Sequence, residues 1–183
     1  MHTKGVETRP IRQMNGGAEF DEVFLTDVAV PENARIGADG EGWAVAMGAL
    51  TSERGYIGGS GTGTQRRLDA LRAMGGELDA IGRQQLTALW SRASELGAMG
   101  ARQGPTASVL SSLAKLGSTE LMFDTAEFAA DRTGAHAMLE GREVDGLLGA
   151  PGARIAGGTS QIQRNIIGER ILGLPKEPRP KDA

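Results

Sequence analysis

Cysteine is absent from the 183 residues, which excludes disulfides, thiolate nucleophiles and Cys-ligated metals. Histidine is scarce: with only His2 and His136, a His-rich metal site is disfavoured too. Any redox chemistry would have to borrow an organic cofactor. Basic charge is not in excess either. The 20 Lys and Arg face 23 Asp and Glu, for a net charge of -3, so the chain lacks the positive field that a phosphate backbone requires. That argues against nucleic acid as a partner. No apolar run approaches the ~20 residues needed to span a bilayer, and the start Met1-His2-Thr3-Lys4-Gly5 lacks the apolar core of a signal peptide. The expectation is a soluble, cytoplasmic protein with no membrane partner.

What is present divides into a short β-like start and a longer helical remainder. Residues 6–13 and 19–30 are β-like, the second run carrying Phe20, Val23, Phe24, Leu25, Val28 and Val30, and Asn15-Gly16-Gly17 reads as the turn between them. Two strands are marginal alone, so this segment is expected to pair with another chain or to pack on helices. After Pro31 the period changes. Trp43, Ala46, Leu50 and Ile57 fall on one helical face, Leu86, Leu89, Ala93 and Leu96 form a second stripe, and Val109, Leu113, Leu116 and Phe123 form a third after Pro105. Ser160-Gln161-Ile162-Gln163 has the form of a capping box ahead of Ile162, Ile166, Ile167 and Ile171, and Gly173-Leu174-Pro175 stops that helix. The fold class is mainly α, an antiparallel helical bundle preceded by a short β-hairpin. Its expected division is residues 1–37, 38–175 and a mobile tail 176–183.

Two places could carry chemistry. Gly157-Gly158 lets a ligand approach the backbone, and the helix start that follows offers unpaired N–H groups suited to a phosphate or pyrophosphate, with Thr159 and Gln161 as added donors. The alternative is a plain capped helix start with Gly-Gly as a hinge. Glu53 shares the face of Ala46, Leu50 and Ile57, so its carboxylate would project with the apolar stripe. Desolvation there would raise its pKa toward that of a base able to take a carbon-bound proton. The alternative is a buried or interface ion pair. Arg54 points elsewhere and could face a ligand. The Gly-Ser-Gly-Thr-Gly core of residues 58–64 lacks the lysine and the leading strand of a phosphate loop. His136 has no triad pattern around it, and Trp43 and Trp90 read as core anchors.

Taken in order, longer runs go beyond these generic readings. Arg9-Pro10-Ile11-Arg12-Gln13-Met14, Ala18-Glu19-Phe20-Asp21-Glu22-Val23-Phe24, Asp27-Val28-Ala29-Val30-Pro31 and Gly40-Glu41-Gly42-Trp43 resemble the end of the middle β-domain and the first C-terminal helix of acyl-CoA dehydrogenases. The run Gly157-Gly158-Thr159-Ser160-Gln161-Ile162-Gln163-Arg164-Asn165, continuing to Pro175, is similar to that family's closing signature. The resemblance implies an FAD-dependent flavoprotein that oxidises the Cα–Cβ bond of an acyl-CoA thioester. A carboxylate removes the α-proton, the β-hydrogen leaves as hydride to the flavin, and electrons pass to an electron-transfer flavoprotein or another acceptor.

Many family members place the base immediately before the Gly-Thr of the closing signature, where this chain has Gly157. Others place it in a Glu-Arg pair on the first C-terminal helix, which Glu53-Arg54 matches. The resemblance therefore implies Glu53 as the catalytic base, Arg54 near the substrate, and Gly158, Thr159 and Gln161 as FAD contacts. The family's Arg-x-x-Phe-Gly motif has no counterpart near Arg72-Ala73-Met74-Gly75, and its later Gly-rich motif is reduced to Asp131-Arg132-Thr133-Gly134-Ala135-His136-Ala137. The N-terminal helical domain and the first half of the β-domain have no match in the chain. The expectation is a truncated or partner-requiring chain, in a homo- or hetero-oligomer with chains of the same family. The alternatives are a non-catalytic subunit that only donates FAD contacts and a helical-bundle interaction protein without flavin.

Overall fold

The computed structural model describes residues 3–57, 66, 69–74, 76, 78–100 and 107–176. They belong to two units, Met1–Ala49 and Leu50–Ala183. In the first unit, strands β1 (Val6–Ile11) and β2 (Phe20–Leu25) pair antiparallel, with Val6 opposite Leu25 and Ile11 opposite Phe20. The turn is closed by Gln13 N donating to the Gly17 carbonyl at 2.8 Å, while Asn15 Oδ1 accepts from Gly17 N at 3.1 Å. Both strands are shorter than the β-like composition implies. The sheet has two strands, so the ladder lasts only where they face each other, and Asp27 at φ 51 turns the chain away from the extended region. Ile11, Phe20, Val23 and Leu25 are exposed on this ribbon.

Helix α1 (Gly42–Ile57) crosses from the first unit into the second. Its apolar stripe is present but uncovered: Trp43 is 79% exposed and Leu50 45%. Trp43 is therefore not the core anchor that its spacing suggests. The glycine-rich stretch after α1 lies outside the described residues.

The second unit is a bundle around one long helix. Residues 69–73 are helical, and α2 (Ala80–Gly100), α3 (Ala107–Thr133), α4 (Arg142–Ile155) and α5 (Ser160–Ile166) follow. Asp79 starts α2, its Oδ1 accepting from Gly82 N at 2.7 Å and so satisfying one of the free amides at the helix start. Helix α3 packs against α2, α4 and α5. Leu71, Leu89, Ala93, Leu121 and Phe128 form the buried apolar cluster, with Leu86, Trp90 and Leu96 against it. The stripe on Leu86, Leu89, Ala93 and Leu96 thus faces the core as its period requires. Trp90 also carries the exposed Arg72 guanidinium over its ring at 4.6 Å. Gly117 of α3 lets α2 approach closely, since a Cβ there would lie 2.7 Å from Leu96 Cδ2.

Helix α4 is not apparent from the sequence, because Gly146, Gly149, Pro151 and Gly152 give it poor intrinsic propensity. Packing against α3 outweighs that propensity, and Glu143 and Asp145 in its first turn suit the positive end of the helix. Beyond α5 the chain continues as a π-helical turn, Ile167–Ile171. Gly173 at φ 65 then ends it, with Leu174 N donating to the Gly168 carbonyl at 2.9 Å.

Candidate functional site: the glycine turn between α4 and α5

The turn from Ala156 to Thr159 joins the end of α4 to the start of α5, and two buried polar side chains reach it. Lys115 and Gln163 are both 0% exposed, and Ser112, Ser118, Thr119 and Ser160 are buried with them. Lys115 reaches from α3 to donate to the Arg154 carbonyl at 3.1 Å and to the Gly158 carbonyl at 2.7 Å. Gln163 Nε2 donates to the Gly157 carbonyl at 3.0 Å and lies 3.4 Å from that of Gly158. Burial pushes the Lys115 ammonium below its usual pKa, and the Glu120 carboxylate opposes that shift. The hydroxyls of Ser118 and Thr119 donate back to the Lys115 carbonyl, at 3.1 and 2.9 Å, which satisfies them inside the helix.

Side chains from α4 and α5 also hold the turn to α3. The Arg154 guanidinium stacks on the Phe123 ring at 4.2 Å, and Arg164 pairs with Glu120. Gly157 and Gly158 adopt φ 65 and 94, where a side chain is strained, and a Cβ on Gly158 would lie 2.8 Å from Gln163 Nε2. The cap differs from the capping box in the sequence. Thr159 is the N-cap, its Oγ1 accepting from Ile162 N at 3.2 Å, and Gln163 turns inward to the glycine carbonyls instead of back to the cap amide. Ser160, one residue inside, is buried with its Oγ unpaired, as is Gln163 Oε1.

This inward pull on the carbonyls decides what the turn presents outward. A trans peptide directs its N–H opposite to its C=O, so the amides of Gly158 and Thr159 point away from Lys115 and Gln163. Among the described residues, no hydrogen bond is donated by the amides of Gly158, Thr159, Ser160 or Gln161. Gln161 is exposed. The half-buried turn thus offers the unpaired amides of Gly158 and Thr159 where Gly158 adds no side chain, chemistry suited to an acceptor-rich group.

Glu53 lies on α1 and is exposed. It keeps the company of its apolar stripe, as the spacing requires, but the stripe itself is uncovered, so this chain does not supply the desolvation expected for a base. No hydrogen bond joins Glu53 to Gly158, Thr159 or Gln161 among the described residues. The side chain of Arg54 lies outside them. His136 is exposed in a 3-10 turn, Gly134–Met138, where its carbonyl accepts from Leu139 N. No group of three or more His, Cys, Asp or Glu able to hold a metal occurs among the described residues, and no helix among them is long and apolar enough to cross a membrane. The buried lysine is the element of the site that sequence reading missed. Its one signal is a charge at the i+3 position from Ser112, on the face that packs inward.

Residues 69–172 match the family described as acyl-CoA dehydrogenase, C-terminal domain. The chain belongs to the acyl-CoA dehydrogenase family. It is 37% identical to acyl-CoA dehydrogenase IpdE1 of Mycolicibacterium smegmatis over 94% of this chain and 47% of that protein. Among solved structures, it is similar to the ChsE4-ChsE5 complex from Mycobacterium tuberculosis at 25% identity and a TM-score of 0.76, covering 96% of this chain and 51% of that one. The Tcur3481-Tcur3483 steroid ACAD shares the fold, with a TM-score of 0.80 at 17% identity over 96% of this chain and 50% of that one. The chain thus spans about half the length of the IpdE1 relative it matches. The helical bundle with its antiparallel hairpin is the fold of that family's C-terminal region.

Proposed function

We propose that this chain forms the C-terminal part of an FAD-dependent acyl-CoA dehydrogenase and works within an assembly that supplies the rest of the flavin and acyl-CoA site. The observation that carries this reading is the turn at Gly157-Gly158. Its carbonyls are held inward by Lys115 and Gln163, and its amides are left free beside Thr159 and Gln161 in the family's closing signature. The donor set and the missing Cβ atoms fit the cofactor: Gly158 gives close approach, and Thr159 and Gln161 add side-chain donors or acceptors. Bound flavin supplies the hydride acceptor for the β-hydrogen.

Glu53 takes the α-proton on its carboxylate, and Arg54 faces the thioester substrate. For Glu53 to act as a base at neutral pH, the exposed stripe around Trp43 and Leu50 must be covered by another part of the assembly, which would desolvate the carboxylate. An oligomer with a chain of the same family would provide that cover, and reoxidation would fall to an electron-transfer flavoprotein or another acceptor. The exposure of Glu53 favours a second reading, in which this chain is a non-catalytic subunit that only donates flavin contacts.

The test is spectroscopic. The assembly containing this chain should retain flavin absorbance after unbound FAD is removed, and acyl-CoA should bleach it. Glu53→Gln should abolish bleaching while leaving flavin bound. Full turnover in that variant would overturn the base assignment and favour the non-catalytic subunit. Absence of retained flavin in every assembly would overturn the cofactor reading itself.

A further inference from the structure

We propose that Lys115 is a positioning residue of the cofactor site, setting the Gly157-Gly158 turn by drawing the Arg154 and Gly158 carbonyls to its ammonium so that the turn's amides face outward. This rests on the flavin reading above. The geometry is specific: Lys115 sits on α3, and its two acceptors lie on separate stretches of chain, the last turn of α4 and the glycine turn itself. One ammonium thus joins three segments at a place where no apolar contact can choose the backbone direction.

Burial makes this placement costly. A lysine with no exposed side-chain surface gives up hydration, and apolar side chains of similar volume often stabilise a fold as well or better. What an apolar side chain cannot do is orient a carbonyl. Among the described residues, the Gly158 carbonyl in particular has Lys115 as its one close donor at 2.7 Å, Gln163 Nε2 being at 3.4 Å. Without the ammonium, the Gly158–Thr159 peptide loses its close donor and can tilt about ψ of Gly158, which no Cβ restricts, within the range that φ of Thr159 allows. Its carbonyl would then swing from the interior, and the Thr159 amide would lose the direction in which it now faces an acceptor-rich cofactor.

Lys115→Met, which keeps the length and removes the donor, tests this by hydrogen exchange of the full chain and by FAD titration of its assembly. The expected result is exchange at least tenfold faster over residues 156–163, with α2 unchanged, and FAD binding at least tenfold weaker. Unchanged exchange in that segment, or equal acceleration across α2 to α5, would overturn the proposal, since the lysine would then be irrelevant or merely structural. Equal FAD affinity in variant and wild type would also overturn it. If wild type retains no FAD in any assembly, the flavin reading fails and the cofactor role of Lys115 fails with it, whereas a loosened turn with flavin still bound by wild type supports both. Should Lys115→Met not fold, Lys115→Gln, which retains a donor too short to span both carbonyls, carries the test by the same criteria.

Discussion

At the scale of single residues, the buried ammonium makes a pH prediction with a definite sign. Lys115 has a folded-state pKa lowered from 10.5, so between that lowered value and 10.5 the unfolded chain holds the proton more firmly than the folded one. Its unfavourable contribution is therefore present in full below the folded pKa and is relieved as pH rises toward 10.5. Glu120 on α3 opposes the shift, while the Arg154 guanidinium lies over the Phe123 ring and that of Arg164 is paired with Glu120. Chemical denaturation of wild type and Lys115→Met across alkaline pH should show the difference moving in favour of wild type as pH climbs through that window. A difference that stays flat, or moves the other way, would mean that the ammonium is not desolvated in solution. Gly158 makes a second residue-scale prediction. Gly158→Ala places a Cβ at φ 94 and against Gln163, and should cost roughly 1–3 kcal/mol in urea denaturation.

At the scale of elements, α3 is the post on which the bundle is built, and its tightest approach to α2 is at Gly117. Gly117→Val should push into Leu96 and destabilise the bundle by about 1–3 kcal/mol through overpacking. Gly152→Ala on α4 is the matched contrast. A Cβ there meets nothing within 4 Å, so the gain in helix propensity should stabilise by about 0.5–1 kcal/mol. Thermal melts of the two variants should move in opposite directions. Helices α2, α3 and α5 were legible in the sequence because their apolar residues recur at helical spacing or lie between clear start and stop signals. Helix α4 was not, because its glycines and Pro151 argue against a helix that exists only through packing on α3.

At the scale of the whole molecule, the exposed apolar residues are the dominant feature of the N-terminal unit and of α1. A two-stranded ribbon with Phe20, Val23 and Leu25 in water is not independently stable, and a helix with Trp43 and Leu50 uncovered needs a neighbour. Light scattering of the purified chain should accordingly show species larger than one chain. Trp43 offers a local reporter. In a Trp90→Phe background, acrylamide should quench it strongly in the free chain and weakly once a chain carrying the rest of the fold is bound. Quenching that is unchanged on binding would show that α1 is not covered in the assembly and would remove the physical basis for Glu53 as a base.

Local composition and periodicity determined the class of the molecule, a β-like start followed by amphipathic helices, together with the glycine pair and the capped helix start at Thr159. These depend on spacing along one chain, which the sequence contains in full. Tertiary structure alone decided which charges are buried and which backbone groups face outward. Lys115 reads in the sequence as an ordinary helix lysine, and only the convergence of α3, α4 and α5 turns it onto the carbonyls of Arg154 and Gly158. Glu53 shows the converse. Its place on an apolar face follows from helical spacing, but burial depends on what lies opposite, and this chain leaves that face in water.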